Sequence, residues 1–132
     1  MRLRDVMDST TFYKSSGKLK LALGRDVTGR AVVGDLTRMP HLLIAGATGA
    51  GKSVCLNSII VGFLFQHSPE DLRFLMVDPK MVELKTFDGT PHLVWPVVTE
   101  VEKVVGAEVR RVGDGAPVQR ALEVGDPQPR CV

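Results

Sequence analysis

Hydrophobic and polar positions follow a different rhythm in each part of this chain. Residues 1–17 are polar, end in Ser-Ser-Gly and read as a connector. In "KLKLALGRDVTGRAVVGDL" (Lys18–Leu36) two short strand-like runs flank a turn at Thr28-Gly29. The alternation of Leu19, Leu21 and Leu23 predicts a half-buried strand, because successive strand side chains point to opposite faces. "HLLIAG" (His41–Gly46) is an unbroken apolar run closed by a glycine, which predicts a fully buried strand. From Lys52 to about His67 the apolar residues Val54, Leu56, Ile59, Ile60, Phe63 and Leu64 recur at three- and four-residue steps, the signature of a helix. Ser68-Pro69 ends it, since proline disfavours helix at the residue before it. "LRFLMVD" (Leu72–Asp78) predicts a second buried strand. Strand, glycine loop, helix and strand in that order make a βαβ unit with parallel strands and a right-handed crossover. From Glu108 onward no period is sustained, and Gly, Pro, Arg and Val dominate, as in a disordered tail.

Composition narrows the picture. The 132 residues suffice for one domain with a core, and an apolar share of 44% fits a globular protein. Aromatic residues, at 5%, are too few for modules that stack bases on Phe and Tyr. A net charge of +2 is too balanced to imply nucleic acid by itself. The two cysteines, Cys55 and Cys131, form neither a disulfide framework nor a zinc spacing, which suits a reducing cytosol. Cys55 lies within the apolar helical pattern and reads as a core residue. The longest apolar stretch, "IIVGFLF" (Ile59–Phe65), is far short of a membrane span, and no signal peptide is expected.

The chemistry concentrates in Gly46-Ala47-Thr48-Gly49-Ala50-Gly51-Lys52-Ser53, which fits the phosphate-binding pattern G-x-x-x-x-G-K-[ST]. A polyphosphate needs donors without bulky side chains in the way. Glycines let the backbone curl so that successive N–H groups point inward. A helix beginning near Lys52 adds its unpaired N–H groups and positive dipole end. Lys52 would reach the β- and γ-phosphates, and the Ser53 hydroxyl would ligate Mg²⁺. The competing reading is a glycine-rich turn that holds nothing. It leaves Lys52 unexplained, since a cation at a helix start sits at the wrong end of the dipole. Asp78 admits two readings on spacing alone: a carboxylate holding Mg²⁺ through water, or one capping a turn before Pro79.

"MPHLLIAGATGAGKSV" followed by "DPKMVELKTFDGTPHLVWPVVTE" resembles the motor domain of the FtsK/SpoIIIE family of DNA translocases, and "LALGRDVTGRAVVGDL" resembles that family's approach to the loop. The resemblance covers about residues 1–107, three blocks in order. It implies an α/β fold: a partial P-loop NTPase core of RecA-like type with parallel strands, preceded by a short β segment and followed by a disordered tail. It also implies ATP as the nucleotide at Gly46 to Ser53, double-stranded DNA as partner, a homo-hexamer in intact members, and a role in chromosome segregation and cell division. Intact members are usually anchored in the bacterial inner membrane; this chain, with no membrane segment, is expected in the cytoplasm. The family's Asp-Glu strand end that serves hydrolysis lies downstream of the "DPKMVEL" block, and no such strand follows residue 84. That argues against Asp78 in the role. The organisation expected is therefore a connector over 1–17, a truncated motor domain over 18–107 and a tail over 108–132. An edge left unpaired in a shortened parallel core predicts marginal stability.

Family members continue with a helix of the type "LRWAVxEMERRY" and then "GxRN". Read one base later, the codons of Val112 to Val118 can spell W-E-M-E-R-R-Y, and those of Gly125 to Gln128 G-T-R-N. A one-base frameshift near Ala107 and Glu108 accounts for both; a divergent natural tail is the alternative. Three functions follow: an ATP-binding piece of a DNA-translocating ATPase, a nucleotide-binding module without catalysis, and a small-molecule kinase. The last lacks a visible arginine-bearing lid.

Overall fold

The computed structural model describes residues 2–39, 41–81 and 83–100, and the backbone of Leu122 and Glu123. They fall into two compact units, Met1–His67 and Ser68–Val132.

The first unit begins with two short helices, α1 (Leu3–Met7) and α2 (Thr10–Lys14), where the sequence suggested only a connector. Local chemistry explains them. The Asp5 carboxylate accepts from the Arg2 amide at 2.9 Å. The Ser9 hydroxyl accepts from the Phe12 amide at 3.2 Å, the usual N-cap arrangement. Each helix sends one apolar side chain, Val6 or Phe12, into the core. Lys20 then fastens α2: its ammonium donates to the Phe12 carbonyl at 3.1 Å and lies 5.2 Å from that ring's centre.

The expected hairpin forms. Strand β1 (Lys20–Arg25) pairs antiparallel with β2 (Ala31–Asp35). Asp26 shapes the turn, its Oδ1 accepting from the amides of Thr28 and Arg30 and from the Thr28 hydroxyl. The alternation of leucines holds for Leu19 and Leu21, which are buried, and breaks at Leu23, which is exposed. The register shifts between Ala22 and Gly24, so Leu23 is the extra residue of a bulge and turns outward.

Helix α3 (Lys52–Gln66) packs on β1, and its buried large side chains are Leu56, Ile59, Ile60 and Phe63. Gln66 ties its last turn to the hairpin, its Nε2 donating to the carbonyls of Lys20 (3.1 Å) and Gly62 (2.9 Å). Val54 points outward, and Cys55, expected in the core, is half-buried on the helix flank between Val54 and Leu56.

The strand expected at "HLLIAG" is absent. Residues 41–46 have no regular structure, and Leu43 is 77% exposed. A strand exists only through pairing, and among the described residues none pairs with this run. The parallel βαβ unit predicted around the glycine loop therefore lacks its first strand here.

In the second unit the run from Leu72 to Asp78 is buried except at Arg73, as expected of its apolar residues. Its regular part is β3 (Met76–Val77), paired in parallel with β4 (Leu122–Glu123). On the other side isolated parallel bridges join Phe74 to Leu93 and Val77 to Val98. Leu75, Val77 and Val98 form a small apolar cluster. Apart from Leu122 and Glu123, the segment expected to be disordered, with its reading-frame question, lies outside the described residues. Among those residues no helix is long and apolar enough to cross a membrane.

Candidate functional site

The loop Gly46–Ser53 leads directly into α3. Its first half is a tight turn, with the Ala50 amide donating to the Ala47 carbonyl at 3.0 Å. Gly49, third in that turn, has φ +81°, the positive value that a type II turn demands there. Gly51 is the N-cap of α3, also left-handed at φ +87°, ψ +17°, and its carbonyl accepts the first helical bond, from the Cys55 amide at 2.9 Å. A Cβ added at Gly49 or Gly51 would enter open space, so backbone conformation alone calls for glycine at both. Gly46 is different. A Cβ there would lie 3.1 Å from the Ala50 Cβ and 3.5 Å from the Lys52 Cγ, so the lysine stem folds back across this glycine.

Residues 46–51 are exposed, while Lys52 and Ser53 are half-buried. Gly51 has no side chain to cap the first amides of α3, and the first turn carries no acidic residue. The positive end of a fifteen-residue helix thus opens beside an accessible glycine loop with one lysine, Lys52, and two hydroxyls, of Thr48 and Ser53. That donor set fits a phosphate chain with a hard divalent cation: backbone N–H groups and an ammonium for the anion, a hydroxyl oxygen for Mg²⁺. Among the described residues no group of three or more His, Cys, Asp or Glu is placed to hold a metal ion by itself.

Asp78, in the second unit, is buried. Its Oδ2 accepts from the amides of Glu83 and Leu84, both at 2.9 Å, so of its two readings the turn-capping arrangement is the one with bonds in place. The need for glycine at position 49 escapes the pattern G-x-x-x-x-G-K-[ST], which leaves that position free. The turn chemistry of Ala-Thr-Gly-Ala was its only sequence signal.

Fold and loop define an α/β chain with an exposed, glycine-bent loop feeding the amino end of a helix. The sequence model of the FtsK/SpoIIIE family matches residues 2–110. The chain is 53% identical over 105 residues to the DNA translocase FtsK of Clostridium tetani, a match covering 80% of this chain and 14% of that protein. It is 50% identical over 105 residues to the DNA translocase FtsK of Haemophilus influenzae, covering 80% and 20%. For the DNA translocase FtsK of Oceanobacillus iheyensis the identity is 56% over 101 residues, covering 76% and 13%. The chain belongs to the FtsK/SpoIIIE family. It spans a fifth or less of the length of these relatives.

Proposed function

We propose that Gly46 to Ser53 bind the triphosphate of ATP with Mg²⁺, and that the chain is the nucleotide-binding part of an ATP-driven double-stranded DNA translocase motor. The observation that carries this reading is the loop itself: two left-handed glycines turn the backbone into the uncapped start of α3, in a chain of this family. Backbone amides of the loop and helix start would hold the β-phosphate, Lys52 would meet the γ-phosphate, and Ser53 would contact the cation. The bound cation offsets phosphate charge; the chain's part is to orient the phosphates and exclude side chains from their path. A RecA-like parallel core belongs to the same reading, with "HLLIAG" as a core strand once a neighbouring strand pairs with it. Duplex DNA as partner, a homo-hexamer and a role in chromosome segregation and cell division come with the family relationship.

Binding is tested by titrating a fluorescent ATP analogue into the chain with Mg²⁺. Lys52→Ala should abolish binding while leaving the far-ultraviolet dichroism unchanged; undiminished affinity would overturn the assignment. A second reading is nucleotide binding without turnover; ATP hydrolysis stimulated by duplex DNA would exclude it.

A further inference from the structure

The segment after the buried strand of the second unit is closed by one side chain. Asp78 is only 6% exposed. Its backbone carbonyl accepts from the Met81 amide at 3.1 Å, and its Oδ2 accepts from both Glu83 and Leu84 at 2.9 Å. Its own amide donates to the Val98 carbonyl at 2.8 Å, which fixes the start of the loop on the adjacent chain segment. Leu84, at the far end, is buried. Between these anchors Met81 has φ +56° and is 55% exposed. A residue with a Cβ takes up that left-handed conformation only when its surroundings impose it. Met81 is held between two bonds to the same residue, its own amide on the Asp78 carbonyl and the Glu83 amide on the Asp78 carboxylate.

A buried carboxylate is costly to desolvate unless charge-assisted hydrogen bonds compensate it, and two amides at 2.9 Å on one oxygen do so. We infer that Asp78 is the positioning residue for the backbone of Met81, Glu83 and Leu84, an internal clasp that persists with or without a divalent cation, and not a cation ligand. Its geometry owes nothing to the ATP-binding reading; only the use of the loop, as a fixed surface element of the motor bearing Lys80 and Met81, rests on it.

Amide hydrogen exchange, resolved by residue in the full 132-residue chain, tests the clasp. Asp78→Ala should speed exchange at Glu83 and Leu84 by roughly tenfold or more, the scale of losing a hydrogen bond to a charged acceptor. Asp78→Asn keeps an acceptor oxygen and should retain most of the protection, whereas a lost cation ligand would not be rescued this way. Mg²⁺ at millimolar concentration should change exchange at neither amide. Mn²⁺ affinity, measured by paramagnetic resonance with nucleotide present, should be the same in wild type and Asp78→Asn. The clasp is refuted by unchanged exchange in Asp78→Ala, or by an Asp78→Asn chain that loses Mn²⁺ affinity. Should the alanine variant fail to fold, the wild-type chain decides: amides of Glu83 and Leu84 that exchange as fast as unprotected ones, or that are slowed only when Mg²⁺ is added, would refute the clasp. Lys52→Ala tests the nucleotide site separately, so the two readings can fail independently.

Discussion

Gly49→Ala isolates backbone conformation from every other contribution to the glycine loop. The residue sits at φ +81°, and an added Cβ would have no heavy atom within 4 Å. The substitution therefore creates no clash and removes no contact. What it adds is the left-handed penalty of an L-residue, about 1–2 kcal/mol. The exposed loop can escape that penalty in the free protein by rotating to negative φ. A ligand that needs the bent shape must then restore it, and the strain reappears as lost affinity. At 1.4 kcal/mol per tenfold, the nucleotide should bind roughly 5- to 30-fold more weakly. Thermal unfolding of the chain should hardly move, because exposed positions away from the core rarely contribute more than about 0.5 kcal/mol. Asparagine tolerates the left-handed region, so Gly49→Asn should lose distinctly less. Anisotropy titration of a fluorescent ATP analogue with Mg²⁺ reads all three proteins. Equal affinities for alanine, asparagine and glycine would refute the claim that ligand binding requires the positive φ. Equal losses in both variants would refute backbone strain as the cause.

Gly46→Ala acts by volume instead, pressing on Ala50 at 3.1 Å and displacing the Lys52 stem; its affinity loss should be recovered in part by Ala50→Gly in the same chain, measured by the same titration. Phe63→Ala removes one of the most deeply buried side chains of the first unit and should destabilise it by about 3–5 kcal/mol in urea denaturation followed by far-ultraviolet dichroism. Asp26 and Asp35 are both held below the ordinary carboxylate value of 3.8, chiefly by the hydroxyls of Thr28 and Thr37. Their contribution to stability is complete above pH 3.8 and is lost as pH falls through their lower folded values. The Asp26→Asn, Asp35→Asn double variant should accordingly show a flatter loss of stability below pH 3.8 than wild type, read by acid titration of the melting temperature.

The sequence by itself determined what near neighbours decide. The hairpin, the span of α3 and the position of the glycine loop were all legible, because turn chemistry, helical periodicity and glycine spacing act over a few residues. The leucines of β1 show where that reach ends: Leu19 and Leu21 face inward, but a bulge that depends on the pairing with β2 turns Leu23 out. The short helices at the N-terminal end were hidden because each buries a single apolar residue, too few to set a period. "HLLIAG" carries an unmistakable buried-strand pattern, yet in the structure Leu43 faces solvent. Apolar character states what a segment would bury; strand formation waits on a neighbour that supplies the hydrogen bonds. Asp78 makes the same point for a polar group. Its place after an apolar run left cation contact and turn cap equally open, and only the folded chain brings the amides of Glu83 and Leu84 to its Oδ2, since nothing in local sequence fixes where a loop returns.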